Sequence, residues 1–476
     1  EYSQEGNTYS FTMPAGDAEI IVTYKEEYAI TIDPSATGLV ITSTNFATSG
    51  EQVIVSTINA VTDEYVTLLS ELYYIENGTS DKVTINQTEG QYSFIMPENN
   101  VTIYAVSGET YRRLDDFKFS GNSISDFTGS DTELTLPAYY DTVTVDSQDY
   151  VVEKDTGTQI TSIGERAFYN YSSLTSVTIP SSVTSIGDSA FQYCYNLTEI
   201  YYQGTIVQWL NMTFGSNWLS GNNINLYIND ELVDEITINA DIPSYAFYGI
   251  DSITKVTLGE GATSIGEYAF DGCSGLTEIT LPSSLKSIGE RAFSGCINLT
   301  EITLPASVTS IGIFAFNACY ALALVINNSS TLTITKGKVD NGYVGYYAKE
   351  VVNRGEVQGR IKIIDNVQYY INDTTGEFIA LAPAISRNAI ISISIAERTT
   401  EINQYAFNNC SNLTEITLPA SVTSIGEYAF YYCSGLTEIT LPASVTSIGR
   451  GAFSGCNISG IEYNNGRYLA SEDNNY

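Results

Sequence analysis

The stretch SIGEYAFDGCSGLTEITLPSSLK at residues 264–286 decides the fold, because it returns almost letter for letter as SIGEYAFYYCSGLTEITLPASVT at residues 424–446. Each copy contains an Ala-Phe pair, and within each run of copies the step is 23 residues. The phenylalanines of these pairs are Phe168, Phe191, Phe247, Phe270, Phe293, Phe316, Phe407, Phe430 and Phe453. Self-similarity at a fixed period of this length is the signature of an array that stacks similar coils.

Each copy predicts one β-strand followed by a turn and a core residue. In LTEITLP, Ile279 and Leu281 alternate inward around Thr280, which is the period of a strand, and Pro282 ends it. The wide ring of the repeat phenylalanine then fills the core. The following strands are predicted to stack in register, in a parallel sheet of about eleven rungs: 176–179, 278–281, 301–304, 415–418 and 438–441.

One position of the unit alternates between two residue types. The residue before the strand leucine is Asn298 or Asn412 in some copies and Gly275 or Gly435 in others. Asn and Gly share a tolerance of positive φ. We therefore expect a left-handed turn residue to feed each strand.

Two interruptions separate the runs of copies, at about 203–232 and 327–389. The first contains both tryptophans: we expect Trp209 to pack onto the coils and Trp218, with Gly, Ser and Asn around it, to be exposed. The second contains GYVGYYAKEVV, which predicts a short helix, and a hairpin centred on residues 372–376. Insertions in repeat arrays usually loop out on one face, often the binding face, so we expect the same here.

The N-terminal part of the chain has a different pattern. YSFTMPAGDAEIIVTY at residues 9–24 and YSFIMPENNVTIYAV at residues 92–106 are similar segments. We therefore interpret 1–27 as the end of an upstream β module and 28–107 as a small all-β module. Residues 108–160 follow as a β-rich N-terminal cap, and 161–476 contain the repeats. The chain opens in the middle of a module, which suggests an excised or processed piece of a longer protein.

The repeat resembles the BspA-like, or Treponema pallidum-type, leucine-rich repeats of bacterial surface proteins. The pattern TSIGxxAFxxCxxLTEITLPASV carries the resemblance, and it covers about residues 110–476. The segments YSFTMP, YSFIMP and SGEQVIVSTINA resemble the B-repeats of internalin-type surface proteins. The resemblance implies a mainly β leucine-rich-repeat solenoid preceded by a small all-β module. It also implies a secreted or wall-attached bacterial protein that acts in adhesion or protein binding, without catalytic residues.

Composition excludes several classes of function. The chain has 20 basic and 55 acidic residues, a formal charge of −35, and no histidine. Such a chain repels nucleic acid, and without histidine it has neither Ser-His-Asp catalysis nor a His-containing zinc site. No apolar run is long enough to span a membrane. We therefore expect no cofactor, no metal, no nucleic acid and no membrane insertion in this segment.

The seven cysteines all lie three residues after a repeat phenylalanine. Disulfides are common in exported proteins, but an odd number of cysteines in one structural slot favours a column of buried free thiols. The absence of a Cys-x-x-Cys pair speaks against a metal site.

The candidate ligand face combines a column of strand residues with aromatic residues of the interruptions. It comprises Glu199, Glu278, Glu301, Glu415, Glu438, Thr280, Thr303, Trp218, Tyr346 and Tyr347. The acidic column faces solvent, where it binds a cationic partner or a calcium ion, or only keeps a long sheet soluble. Tyrosines are abundant, and they serve as anchors for a protein or sugar or as ordinary strand residues.

Three classes of function stay open. The first is a non-catalytic, adhesin-like protein, extracellular or at the cell surface, that binds a host or bacterial surface protein or a glycan as a monomer. The second is a structural spacer that displays another domain. The third, an enzyme with two carboxylates, is disfavoured because the resemblance carries no catalytic residues.

Overall fold

The computed structural model describes residues 2–5, 8–11, 26–34, 36, 40–57, 61–88, 91–145, 148–220, 224–458, 461–463 and 466–468. The chain divides into two compact units, Glu1–Asp115 with Tyr140–Gly157, and Asp116–Tyr139 with Thr158–Tyr476. The described residues are mainly β-structure with one five-residue α-helix, and they include no helix long and apolar enough to cross a membrane. Residues 12–25, part of the proposed upstream module, lie outside the described residues.

The strands up to residue 152 are β1 Tyr2–Glu5, β2 Thr8–Phe11, β3 Glu27–Ile32, β4 Val40–Thr42, β5 Phe46–Thr48, β6 Gln52–Thr57, β7 Tyr65–Glu76, β8 Val83–Thr84, β9 Asn86–Thr88, β10 Gln91–Ile95, β11 Val101–Arg112, β12 Phe117–Ser120, β13 Ser123–Phe127, β14 Glu133–Thr135, β15 Tyr139–Val145 and β16 Gln148–Val152.

The elements that follow are β17 Thr158–Gln159, β18 Ser162–Ile163, β19 Ser176–Ile179, β20 Ser185–Ile186, β21 Glu199–Tyr202, α1 Ile206–Leu210, β22 Thr213–Phe214, β23 Asn225–Ile228, β24 Glu231–Leu232, β25 Glu235–Ile238, β26 Lys255–Leu258, β27 Ser264–Ile265, β28 Glu278–Thr280, β29 Ser287–Ile288, β30 Glu301–Leu304, β31 Ser310–Ile311, β32 Leu324–Asn327, β33 Glu350–Asn353, β34 Gly359–Ile364, β35 Val367–Asn372, β36 Phe378–Pro383, β37 Ser392–Ser394, β38 Thr399–Ile402, β39 Glu415–Thr417, β40 Ser424–Ile425, β41 Ser447–Ile448, β42 Ile461–Tyr463 and β43 Gly466–Tyr468.

The two largest sheets of the first unit have four and five strands. One has the order β4-β6-β10-β9, and the other has the order β5-β3-β11-β7-β8. Along β11, Val101, Ile103 and Ala105 are buried while the residues between them are half-buried, as expected for a strand with one face on a core. The division of the chain at residues 27, 107 and 160 stays a prediction.

The second unit is a β-solenoid in which a typical coil contributes one longer and one shorter strand. The longer strands pair in parallel and in register, for example β19 with β21 and β26 with β28. The shorter strands form a second column, for example β18 with β20 and β27 with β29. The predicted solenoid with a parallel sheet is confirmed. Hairpin β12–β13 begins the second column, because β13 pairs in parallel with β18.

The individual strand predictions have mixed outcomes. Strands 176–179 and 301–304 are confirmed with their predicted bounds, and 278–281 and 415–418 are each one residue shorter than predicted. Residues 438–441 form no strand, so that prediction is wrong. This segment follows the last longer strand of the column, β39, and no described strand continues the column beyond it.

The repeat phenylalanines form the stacked centre of the core. Phe270, Phe293 and Phe316 are fully buried, with ring centroids 5.4 and 5.3 Å apart. The backbone N–H of Phe293 donates to the carbonyl of Ala315 in the next coil at 2.8 Å. Each coil is therefore held to its neighbour by a hydrogen bond and by ring contact. Phe453, near the end of the array, is only half-buried.

The first interruption adds a coil and does not loop out, contrary to expectation. Its β22 pairs with β20, and its β23 pairs with β21. Trp218 is fully buried, so the expectation that it is exposed is wrong. Its carbonyl accepts from the N–H of Phe191 at 2.7 Å, and its indole Nε1 donates to the carbonyl of Tyr245. The indole thus continues the aromatic core where the coil lacks a repeat phenylalanine. Trp209 is also fully buried, as predicted.

The second interruption also continues the solenoid. Its β33 extends the longer column beside β32, and its antiparallel meander β34–β36 joins the shorter column where β36 pairs in parallel with β38. The hairpin prediction is confirmed, because Gly376 N–H donates to Asn372 O at 2.7 Å between β35 and β36. The predicted short helix is wrong. A 3-10 turn at Asn341–Tyr343 replaces it, since three successive residues there have positive φ.

Left-handed residues occur in every regular coil, but not where the sequence predicts them. They stand two positions before the repeat phenylalanine, as Tyr268 does, and two positions after it, as Gly272 does. The Asn/Gly position has a different role. Asn298 Nδ2 donates to the carbonyl of Ser274 in the preceding coil, while at Gly435 the backbone N–H donates to the equivalent carbonyl of Ser411. Either residue therefore satisfies the same carbonyl.

Candidate functional site

The longer strands present one row of side chains to solvent. In β28, Glu278 and Thr280 are exposed while Ile279 between them is 8% exposed and faces the core. The other members of the predicted face follow the same alternation. Glu301, Thr303, Glu415 and Glu438 are exposed, and Glu199 is half-buried. The strand period thus places this part of the candidate face outward.

The acidic column is interrupted by other residue types. Strand register places Lys255 between Glu235 and Glu278, and the Lys255 ammonium lies 3.0 Å from the Glu278 carboxylate. Leu324 stands between Glu301 and Glu350 in the same way. The repeat pattern did not predict Glu235 or Glu350 as members of the row. Both lie within the irregular coils, where only strand pairing shows their place.

Electrostatics distinguish the two neighbouring carboxylates of the regular coils. Although Glu301 as a residue is exposed, its carboxyl group loses part of its solvation to the surrounding protein, which raises its pKa, and the charge of Glu278 raises that pKa further. At the N-terminal end of the face, Tyr201 and Tyr227 stack with centroids 4.5 Å apart. The Tyr201 hydroxyl donates to Glu199 at 2.9 Å, which raises the pKa of Tyr201 to about 12. Stacked phenols beside a carboxylate offer both apolar contact and hydrogen-bond acceptors.

The predicted aromatic residues of the second interruption are only partly available. Tyr346 is 42% exposed, whereas Tyr347 is half-buried between Tyr346 and Tyr320. Tyr320 in turn stacks on Tyr405 with centroids 3.8 Å apart. The structure therefore joins these rings to a column of aromatic residues along the coils. It does not bring them to the acidic row of the longer strands, nor does it bring Trp218 there.

That aromatic column occupies the position two before each repeat phenylalanine. Tyr245 and Tyr268 stack at 4.8 Å, and the Arg291 guanidinium lies over the rings of Tyr268 and Phe314. The sequence reasoning missed this column. The signal was present in the sequence, because Tyr, Phe and Arg recur two residues before the repeat phenylalanine when the units are aligned.

A family model decides what these coils are. The model described as the BspA type leucine-rich repeat region matches residues 150–235, 240–341 and 385–471, more than half of the chain. The chain belongs to the BspA-type leucine-rich repeat family. The match spans the regular coils and the first interruption, but leaves 342–384 of the second interruption unmatched.

Several solved structures are similar to this BspA-type protein. A leucine rich cell surface protein from Faecalibacterium prausnitzii is 26% identical, with 74% of this chain and 93% of that chain covered and a TM-score of 0.31. A leucine-rich repeat protein from Eubacterium ventriosum is 22% identical, with 75% and 97% covered and a TM-score of 0.27. The pneumococcal vaccine antigen PcpA is 19% identical, with 74% and 79% covered and a TM-score of 0.26. The chain matches no curated protein.

The cysteines of this BspA-type protein are free thiols in the structure, as predicted, and six of the seven are buried. In six of them the Sγ donates to the carbonyl of the repeat phenylalanine one coil earlier, as Cys296 does to Phe270 at 3.3 Å. Cys410 has no such phenylalanine beneath it. The neighbouring thiol of Cys433 and the buried Arg387 cation lower the pKa of Cys410. Within the described residues, no group of three or more His, Cys, Asp and Glu side chains could hold a metal ion.

Proposed function

We propose that this BspA-type repeat protein is a non-catalytic binding protein, adhesin-like, which contacts a protein or glycan partner through the outward row of its longer strands. The observation that carries the proposal is the exposure of Glu278 and Thr280 in β28 and of Glu301 and Thr303 at the same positions of β30. The inward residues and the backbone ladder hold the coils together, and the exposed ion pair between Glu278 and Lys255 of the neighbouring coil adds little to that stability. The row is therefore free to serve recognition.

The nature of the partner follows from charge. A formal charge of −35 favours cationic or neutral partners and disfavours nucleic acid and anionic lipid. Charged rim residues of this kind affect the association rate and its salt dependence more than the final affinity. As part of the same proposal, the protein acts as a monomer, outside the cell or at its surface, and needs no cofactor. The bacterial surface proteins that the repeats resemble act in that location.

The test is a binding screen of the purified chain against extracellular matrix proteins and a glycan array, followed by a pair of charge variants. Glu278→Lys with Glu301→Lys reverses the charge of the row, and we expect a loss of at least about tenfold in the association rate of each cationic hit at low salt. The control is Glu267→Lys with Glu427→Lys, which makes the same change of charge at two exposed carboxylates outside the longer strands. An equal loss in the two double variants would contradict recognition by the row of the longer strands in particular. No hit at micromolar concentration would favour the passive spacer.

A further inference from the structure

The column of shorter strands is interrupted after β22, as it also is after β31, and at the first of these breaks a proline replaces the glycine of the regular coils. In regular coils, the glycine after the column isoleucine donates its N–H to the preceding coil, as Gly187 does to Ile163 at 2.8 Å and Gly289 does to Ile265 at 2.8 Å. The corresponding residue of the coil that follows β22 is Pro243, which has no N–H to donate. The column accordingly ends at β22 and resumes with Ile242, which pairs with Ile265.

The same coil leaves one strand edge open. The strand β25 pairs in parallel with β26, and no described strand pairs with β25 on its other side. The carbonyls of Asp234 and Ile238 accept from N–H groups on the β26 side, at 2.7 and 2.8 Å. Because backbone groups alternate in direction along a strand, the N–H and C=O of Thr237 point away from β26. They face the open edge.

The helix α1 lines the other side of the groove next to this edge. The helix α1 begins with Thr205 and Gln208 in a reciprocal capping box, and its Trp209 is fully buried. The Trp209 indole donates to the carbonyl of Ala246 at 3.0 Å, which ties the helix to the coil behind it. The outer face of α1 keeps Val207 63% exposed. The apolar side chain of Val207 is thus exposed on a helix that its cap and its buried Trp209 anchor to the solenoid.

The groove between α1 and the open edge of β25 has a volume of about 720 Å³. Ile206, Val207 and Leu210 line it on the helix side, and Thr237–Ser244 line it on the strand side. The volume is within the usual range of about 300–1,000 Å³ for binding sites. The eight residues of the strand side, if extended, span about 26 Å. Among the lining residues the only charged one is Asp241, and the neighbouring Glu235 is an exposed carboxylate.

We propose that this groove binds an extended, basic peptide segment of a partner protein, which adds as a further strand on the open edge of β25. The unpaired backbone of Thr237 supplies main-chain hydrogen bonds, and α1 supplies apolar contact for alternate side chains. The carboxylates of Asp241 and Glu235, in a chain of strongly negative charge, select for lysine or arginine between those side chains. The proposal rests on the proposed binding function, and it assigns that function a second site beside the acidic row.

The probe is an acetylated and amidated octapeptide of alternating Lys and Val with a fluorophore, measured by fluorescence polarisation with the full chain. We expect saturable binding in the micromolar range. A Glu-Val octapeptide should bind at least about tenfold more weakly, because its carboxylates are repelled by Asp241 and Glu235. A Lys-Val peptide with N-methylated backbone amides should lose a similar factor, because it keeps the charge but loses strand pairing. Equal binding of all three peptides would overturn the proposal.

Two variants locate the site. Val207→Lys places a cation on the groove wall, and we expect at least tenfold weaker binding of the Lys-Val peptide. Ile313→Lys is the matched control, because Ile313 is 66% exposed on a regular coil and its change should alter the affinity less than twofold. Thr237→Pro removes one donor of the open edge and leaves the pairing with β26 intact, so it should also weaken binding.

The outcomes separate this inference from the proposed function. Unchanged peptide affinity in the Val207→Lys variant would overturn the groove as the site. So would equal losses in Val207→Lys and Ile313→Lys. Loss of peptide binding in Glu278→Lys with Glu301→Lys, but not in Val207→Lys, would move the peptide to the acidic row. That result would leave the proposed function standing and remove only the groove.

Discussion

Replacing Phe293 by alanine tests whether the ring stack is the structural centre of the array. Phe293 is fully buried, and its ring lies between Phe270 and Phe316 at centroid distances of 5.4 and 5.3 Å. A buried Phe→Ala change costs about 3–5 kcal/mol through lost burial and the cavity that remains. With ring partners on both sides, we expect a value near the top of that range, because each aromatic pair adds about 0.5–1.5 kcal/mol beyond burial.

The matched control is Phe453→Ala in the last coil. Phe453 is half-buried and stacks with Phe430 at 5.3 Å, so its loss should cost only about 1–3 kcal/mol. Urea denaturation followed by circular dichroism gives the free energies of unfolding. Hydrogen exchange read by mass spectrometry shows where protection is lost, since neighbouring coils of a repeat array stabilise one another. We expect loss in the coils of Phe270 and Phe316 as well. A cost below about 1 kcal/mol, or one no larger than for Phe453, would refute the reasoning.

Three further outcomes follow from the same coils. Thiol titration in denaturant without reductant should give seven free thiols, and three disulfides would contradict this. Under native conditions Cys456 should react first, because it is the one cysteine that is not fully buried and because a contact with Cys433 lowers its pKa. Burial raises the pKa of Asp271 from 3.8 to about 6, so the folded state favours the protonated carboxyl and stability should fall as pH rises from about 4 to 6. Asp271→Asn should flatten that fall in urea melts, and an unchanged slope would contradict it. Gly275→Ala should destabilise more than Gly435→Ala, by about 1–3 kcal/mol in the same assay, because the added Cβ would lie 1.9 Å from a backbone oxygen rather than 2.7 Å.

The regular coils could be predicted from sequence because each coil repeats the same local constraints. The alternation of Ile279 and Thr280 sets which side chains face the core, and the 23-residue step sets the register between coils. Neither needs long-range information beyond the repeat itself. The same reasoning failed at Gly275 and Asn298, since both residues tolerate positive φ yet act here through a carbonyl of the preceding coil. The residue types Gly and Asn are compatible with positive φ, but the contact with the preceding coil determines why they occur at this position.

The interruptions resisted prediction because their environment is supplied by distant residues. Gly215, Ser216 and Asn217 before Trp218 indicate a turn, which is correct locally, but the indole is covered by Phe191 and Tyr245 from two other coils. The residues next to Trp218 indicate the local backbone conformation, but they do not indicate which residues of other coils pack against its side chain. The outward exposure of Glu278 and its equivalents follows the strand period as expected, whereas the exposure expected for Trp218 from its neighbours is wrong. That this row binds a ligand stays a prediction.

An open strand edge has a physical cost, which gives the break at Pro243 its significance. The missing donor forfeits a ladder hydrogen bond worth about 1 kcal/mol, and an unpaired edge invites pairing with other chains. A glycine at residue 243 would restore the donor found in the regular coils. The two buried indoles offset part of the loss, because Trp209 and Trp218 donate hydrogen bonds to carbonyls of the coil that contains Pro243. Among the described strands this coil therefore has two unpaired stretches, the position of residue 243 in the column of shorter strands and the edge of β25 in the column of longer strands. The proposed peptide would pair only with the second, so its binding should not depend on restoring a donor at residue 243.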